Sequence, residues 1–413
     1  MAVGRHGFIA GLDVGTTKVC CFVARIDGGG VRVVGIGHQV SRGMRSGAVV
    51  DMEAVEASIR AAVDTAERMA GETVREAYVG FSGGQPASHT VGVEVAIAGH
   101  QVGESDVSRV LDQGRSRNEP GERQVVHAIP VGYTIDGSRG IRDPRGMHGE
   151  RLGVNMHVVT AAAGPLRNLA TCVERCHLKI AGVVVSPYAS GLACLVEDEM
   201  DLGVTLVDMG GGTTSLAVFY DGALVFADVI PIGGAHVTND IARGLSTPTA
   251  HAERMKTLYG GAIAGSGDHG EIIDVPRVGE TEHHSPNHVP RSMLVGIVRP
   301  RVEETLELVR DRLTRSGVEH LAGRRVVLCG GASQLQGMRE LAQRVLDKQV
   351  RMGRPIRVGG LAEATGGPAF AACAGLLTYA LRARAEAVDG MSEPDEAPSG
   401  RFARLGQWLR ANF

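Results

Sequence analysis

The sequence predicts an α/β fold of two similar lobes with a ligand cleft between them. Two observations carry the prediction. A run of three short apolar segments followed by a helix-spaced segment occurs twice. Each run opens on an apolar stretch ending in an aspartate and a Gly/Thr turn, at Asp13 and again at Asp208, 208 − 13 = 195 residues apart. The composition agrees. With 58 glycines and only 4% aromatic residues among 413, the chain suits many tight turns close to a ligand. A chain this long holds more than one core.

Taken in order, FIAGLDVG (8–15) reads as a strand closed by an Asp-x-Gly turn, VCCFVARI (19–26) as the next strand, Gly28 to Gly30 as a turn and VRVVGIG (31–37) as a third strand. Residues 53–70 put Val55, Ile59, Ala62, Val63, Ala66 and Met69 on one helical side, with Asp51 as N-cap. AYVGFSG (77–83) returns as a strand. In the second half LGVTLVDMG (202–210), SLAVFY (215–220) and ALVFADVIPIG (223–233) repeat the three strands. Asp221-Gly222 is a hairpin turn between the last two, and a helix is expected over 237–244.

The expected division is a first lobe at 1–83 and 164–202 with an inserted subdomain at 84–163. A second lobe follows at 203–245 and 319–356 with an insert at 246–318, and then a return to the first lobe at 357–384. Within the second insert, Gly265 to Asn287 reads as a polar surface loop. His269, His283, His284 and His288 there are either a solvated cluster or a metal site. The acidic, Pro-containing stretch 385–400 reads as a disordered linker before the closing peptide 401–413.

Composition narrows the partners. A formal net charge of −3 offers no basic excess for nucleic acid. The seven cysteines, Cys20, Cys21, Cys172, Cys176, Cys194, Cys329 and Cys373, are odd in number and mostly sit in apolar runs, so they read as reduced and buried. Cys172 and Cys176 stand four apart, as helix-borne ligands can, but have no partner pair at metal spacing nearby, which favours an inert helix face. No signal-peptide pattern opens the chain and no window reaches the roughly 18 apolar residues of a membrane span.

The two turns, Asp13-Val14-Gly15-Thr16-Thr17-Lys18 and Asp208-Met209-Gly210-Gly211-Gly212-Thr213-Thr214, carry the chemistry. Glycine lets backbone approach a phosphate closely, and successive N–H groups form an anion-binding concavity. Threonine hydroxyls add donors. An aspartate cannot bind phosphate, since like charges repel, but it can hold a hydrated Mg²⁺ that bridges to phosphate. One such turn is ordinary; two at matching places in a duplicated layout point to a nucleotide. A third element, Val326 to Ser333, reads as a strand, a Gly330-Gly331 turn and a helix start. Neither a P-loop nor a Rossmann fingerprint is present.

At these residues the chain resembles the actin, sugar-kinase and DnaK-type chaperone superfamily. GLDVGTTKVC (11–20), LVDMGGGTTSLAVF (206–219) and VVLCGGASQLQGM (326–338) look like its two phosphate segments and its adenosine segment. Within it, the chain resembles the FtsA family of bacterial division proteins. That likeness rests on SGGQPASHT (82–90), HAIPVGYTIDGSRGIRDPRGMHGERLGV (127–154), NLATCVERCHLKIAGVVVSPYASGLACL (168–195), HAERMKTLYG (251–260), IVRPRVEETLELV (297–309) and GQWLRANF (406–413). The resemblance implies an actin-like fold of two RNase H-like lobes with ATP and Mg²⁺ in the cleft. Asp13 and Asp208 would serve the metal through water. Gly15, Thr16, Thr17, Lys18, Gly210, Gly211, Gly212, Thr213 and Thr214 would hold phosphates, and Gly233, Gly234, Glu253, Lys256, Gly330, Gly331 and Ala332 would border ribose and base. Spacing alone also allows Glu253 and Lys256 to be a solvated ion pair. Where the chaperones carry a water-positioning glutamate, this chain has Ser186, so hydrolysis is expected to be weak or absent.

On a helix, Phe402, Leu405, Trp408, Leu409 and Phe413 share one sector, with Arg401, Arg404 and Arg410 at its edges, a pattern suited to lying flat on an anionic bilayer or docking on a protein. The family resemblance implies a peripheral protein at the cytoplasmic face of the inner membrane. It would form filaments with itself, bind the FtsZ C-terminal peptide on the second insert near Arg299 and Arg301, which are expected at a helix start, and bind further division proteins through 84–163. The competing readings are a PilM-like adaptor of the same fold, a small-molecule kinase and a chaperone. The last would require a substrate domain where this chain has a linker and a helix.

Overall fold

A computed structural model describes residues 7–389 apart from 28–29, 117–121, 266–267, 269 and 280–286. The predicted turn at 28–29, the histidines His269, His283 and His284, and the peptide 401–413 lie outside the described residues.

The first lobe opens with β1 (Phe8–Val14), β2 (Lys18–Asp27) and β3 (Gly30–Val40), then a short ribbon of β4 (Met44–Arg45) and β5 (Ala48–Val49), α1 (Met52–Ala70) and β6 (Glu76–Phe81). Asp51 caps α1 as expected, its carboxylate accepting the Ala54 N–H, and Gly71 ends the helix in the left-handed region. The insert follows: β7 (Ala87–Ala96), α2 (Glu104–Ser116), β8 (Arg123–Ile135), β9 (Ser138–Ile141) and β10 (Arg151–Ala162). The lobe resumes with α3 (Ala163–Arg175), β11 (Lys179–Val185), α4 (Ser186–Cys194) and α5 (Glu197–Leu202).

The second lobe repeats the scheme with β12 (Val204–Met209), β13 (Thr214–Tyr220), β14 (Ala223–Ile230) and α6 (Gly234–Gly244). Its insert holds α7 (Thr249–Tyr259), β15 (Ile272–Val275), β16 (Asn287–Pro290) and α8 (Arg291–Arg315). Then come β17 (Arg325–Cys329), a 3₁₀ turn (Gly331–Gln334), α9 (Met338–Leu346) and β18 (Gln349–Met352). The chain returns to the first lobe as β19 (Val358–Gly359), a second 3₁₀ turn (Pro368–Phe370) and α10 (Ala371–Asp389).

The duplication is visible in the sheets. One runs β11-β6-β1-β2-β3-β19 and the other β18-β17-β12-β13-β14, so each places its first strand between an antiparallel hairpin and two parallel strands. The register repeats as well: Asp13 pairs with Cys20 and Asp208 with Ser215, each seven residues on. Asp221 and Gly222 both take positive φ, 50° and 76°, as a tight hairpin turn needs.

The first insert is an antiparallel sheet, β7-β10-β8-β9, covered on one face by α2 over Val93, Val107, Val110, Leu152, Val154 and Met156. It also reaches across to the second lobe. The Ser88 hydroxyl donates to the Ala227 carbonyl at 3.1 Å and accepts the Ala227 N–H at 3.0 Å, on β14, and Arg142 pairs with Asp221.

Three expectations need correction. The Gly265–Asn287 stretch is not a plain loop: Ile272–Val275 pairs with Asn287–Pro290 as a hairpin, burying Ile273 and Val275 under α8. The helix predicted from 237 starts three residues earlier, at Gly234. The linker predicted from 385 is helical to Asp389, because α10 continues as a long helix packed over β1 and β2 and beside α4. Among the described residues no helix is long and apolar enough to cross a membrane, and all seven cysteines are free.

Candidate phosphate and metal site

Each Gly/Thr turn closes a hairpin with the same bond. The Gly15 N–H donates to the Lys18 carbonyl at 2.9 Å and the Gly210 N–H to the Thr213 carbonyl at 2.8 Å. The turns face one another across the cleft: a Cβ on Gly211 would overlap the Thr17 side chain, and one on Gly212 would overlap Thr16. Bare backbone is the only surface that fits this gap. The amides of Thr16, Thr17, Gly211 and Gly212 donate to no backbone acceptor among the described residues, which leaves them for a ligand anion. The Thr16 hydroxyl accepts the Gly47 N–H at 3.0 Å, fixing the first turn to the β4–β5 ribbon.

Asp13 and Asp208 stand at the ends of the two strands that feed these turns, both half-buried. Burial raises Asp13 above the usual carboxylate range, with Lys18 opposing. Burial likewise raises Asp208, to about 6, against a hydrogen bond from Ser190 and with Asp13 adding repulsion. Two acidic groups pushed up by burial, Asp208 also by the charge of Asp13, form a site that a divalent cation would relieve, and the facing amides supply the complementary donors for phosphate. The residues therefore fit a hydrated Mg²⁺ with a polyphosphate. When bound, the ion would neutralise charge between the carboxylates and the phosphate oxygens.

The residues expected at ribose and base also come together. The Gly234 N–H donates to the Gly210 carbonyl at 2.9 Å, and the Ala235 N–H to the Gly211 carbonyl at 2.7 Å, so α6 starts directly behind the second turn. Gly233 packs on the backbone of Gly210 and Gly211. A Cβ on Gly234 would lie 3.1 Å from Ala332 and 3.5 Å from Lys256 Nζ. Glu253 and Lys256 do pair, at 2.7 Å. Lys256 also donates to the Gly234 carbonyl and the Thr238 hydroxyl, so this pair is anchored to the helix start rather than merely solvated. Gly331 opens a 3₁₀ turn, not an α-helix. Gly330, at φ 83°, leaves room for Asp208 itself, since a Cβ there would overlap Asp208 Oδ1.

Other predicted residues lie differently. Thr213 is buried. The Thr214 hydroxyl is buried too and donates to the Ile232 carbonyl, so it secures the segment between β14 and α6. Lys18 Nζ donates to the Ala369 carbonyl and lies 3.6 Å from the Phe370 ring centre, resting on the second 3₁₀ turn. Arg299 and Arg301 are not at a helix start: α8 begins at Arg291, and both sit two to three turns inside it. Arg299 pairs with Glu303 at 2.9 Å, and Arg301 reaches Asp240 on α6 at 2.6 Å. His288 contacts Asp274 at 2.7 Å, and no group of three or more metal-ligating side chains occurs among the described residues. Cys172 is buried and Cys176 caps α3, with thiols raised mainly by burial, as an inert face requires.

Sequence reading missed two residues at the carboxylates. The Ser190 hydroxyl donates to Asp208 Oδ2 at 2.5 Å. Gly80 pairs with Asp13, and a Cβ there would come within 3.1 Å of Asp13 Oδ1. Ser190 was available as the residue one helical turn after Ser186; Gly80 carried no local signal.

The family profile described as Cell division protein FtsA matches residues 205–375, and that of the SHS2 domain inserted in FtsA matches 83–160. The Cell division protein FtsA of Agrobacterium fabrum is 46% identical over 99% of this chain and 96% of its own length. Among solved structures, the PilM–PilN type IV pilus biogenesis complex gives a TM-score of 0.62 at 17% identity, over 90% of this chain and 98% of that one. MreB 5 of Spiroplasma citri bound to AMPPNP gives 0.55 at 12%, over 94% and 100%. The fold is actin-like, with an FtsA-type insert in its first lobe, and the chain belongs to the FtsA family of cell division proteins.

Proposed function

We propose that this protein binds ATP with Mg²⁺ between the two opposed turns and acts as a membrane-tethered scaffold of cell division. It polymerises and holds FtsZ filaments at the cytoplasmic face of the membrane. The observation that carries the nucleotide part is the meeting of Thr16 and Thr17 with Gly212 and Gly211, in turns fed by strands that end in a pair of half-buried carboxylates. A structural neighbour of the same fold was solved with AMPPNP, which supports the reading. The scaffold part rests on membership of the family.

Asp13 and Asp208 would hold the hydrated ion, the amides of the two turns would hold phosphate, and Lys256 with Gly234 and Ala332 would border the sugar and base. The α4 segment SPYASGLAC contains no carboxylate. Its polar side chains are hydroxyls and a thiol, none of them a carboxylate base, so nucleotide serves as an assembly ligand more than as a fuel. The peptide 401–413 would lie on anionic lipid, the second insert around α8 would receive the FtsZ peptide, and the 84–163 insert would receive other division proteins.

The test is co-flotation with anionic liposomes and purified FtsZ, with and without ATP, using the full chain and a chain lacking 401–413. Wild type should bring FtsZ to the liposomes and the truncated chain should not. Equal flotation of both, or no FtsZ recruitment in any condition, refutes the scaffold reading.

A further inference from the structure

Ser190 follows Ser186 by four residues on α4, so both lie on one face of that helix. It is wholly buried, and its hydroxyl donates to Asp208 Oδ2 at 2.5 Å. The other oxygen, Oδ1, lodges against Gly330, whose missing side chain makes the space. Both oxygens of Asp208 are thus placed by the protein.

Its counterpart is not held in this way. No hydrogen bond reaches the Asp13 carboxylate among the described residues; Gly80 gives it room and Lys18 gives it charge. The pseudo-symmetric site therefore has one clamped carboxylate and one unclamped.

The clamp stands on a rigid support. A Cβ on Gly375 would overlap the Ala189 carbonyl, so α10 lies backbone to backbone against α4 beside Ser190. At the entrance to α4 the Val185 N–H donates to His127 Nε2 at 3.0 Å. A carboxylate on a free rotor loses entropy when it engages a cation, and one already oriented does not. Partners that orient a ligand in this way are commonly as sensitive to mutation as the ligand itself.

We infer that Ser190 is the positioning residue of the metal site, its hydroxyl holding Asp208 Oδ2 so that Oδ1 is kept for the hydrated Mg²⁺ of the bound nucleotide, while Asp13 adjusts. This rests on the nucleotide reading above, and the same experiment separates the two.

The binding of a fluorescent ATP analogue to the full-length protein is measured over a Mg²⁺ titration and again in EDTA. The melting temperature of the nucleotide-free protein is recorded alongside. Ser190→Ala should raise the Mg²⁺ concentration at half-saturation about tenfold, a larger factor than any loss of affinity in EDTA, while the variant still melts cooperatively above the assay temperature. Ser190→Cys keeps the shape but donates weakly, so it should shift the same way by a smaller factor, and it carries the test if the alanine variant fails to fold. An unchanged Mg²⁺ half-saturation in the folded variant overturns the assignment. So does an equal loss in Mg²⁺ and in EDTA, which would mark a purely structural serine. If wild type itself binds no ATP in Mg²⁺, the nucleotide reading falls and the clamp with it.

Discussion

Replacing His157 by leucine should stabilise the protein, and more so in acid. His157 lies on β10, 1% exposed, and neither ring nitrogen has a hydrogen-bond partner among the described residues. Leaving a buried polar group unpaired costs about 1–3 kcal/mol, and leucine of similar volume removes that cost. The pH term is separate. Burial, with His89 adding repulsion, lowers His157 to about 4; burial, with His157 adding repulsion, lowers the neighbouring His127 to about 3. Both stay neutral in the fold while the unfolded chain takes a proton below about 6.5. The stability from neutral burial is therefore full above that pH and is lost as pH falls toward the folded values. At pH 5 each histidine costs about 2 kcal/mol, and the pair about 4. The leucine variant should escape one share, so its advantage should grow by about 2 kcal/mol between pH 7.5 and pH 5. Urea denaturation at the two pH values measures this. A pH-independent difference, or a loss at both, would mean that His157 is not held neutral and unpaired in the fold.

Further substitutions probe the cleft and the second insert. Gly212→Ala places a methyl on Thr16 and should lower ATP affinity at least tenfold while the full chain keeps its helical signal by circular dichroism. Gly330→Ala must adopt φ 83° and meets Asp208 and the Met209 carbonyl, so thermal or chemical unfolding should show a loss of about 2–4 kcal/mol. Arg301→Ala breaks a partly buried tie between α8 and α6 and should cost about 1 kcal/mol in the same assay. Arg299→Ala removes only an i,i+4 pair and should cost less than about 0.5 kcal/mol.

What the sequence disclosed was local or periodic. The duplicated strand runs, the Asp51 cap and the Asp221-Gly222 turn each depend on residues within a few positions of one another, and each appears where expected. What it hid depends on contacts between distant segments. Asp208 meets Ser190 from another element 18 residues away, and Gly80 meets Asp13 across two parallel strands. Thr214 belongs to the Gly/Thr turn in sequence, but its hydroxyl is turned onto the Ile232 carbonyl. The strand Ile272–Val275 is four residues in a polar stretch, too short to show an alternation, and exists because β16 pairs with it. Arg299 and Arg301, expected at a helix start, lie well inside α8, which runs through Pro300 between them.

The nucleotide site is tested most directly by calorimetric titration of ATP into the purified protein with Mg²⁺, for wild type and for Gly211→Ala. Wild type should show saturable one-to-one binding, weakened in EDTA, with at least a tenfold loss when a methyl meets Thr17 across the cleft. Absence of saturable binding by wild type, or equal affinity in the variant, would contradict a nucleotide site built from the two opposed turns.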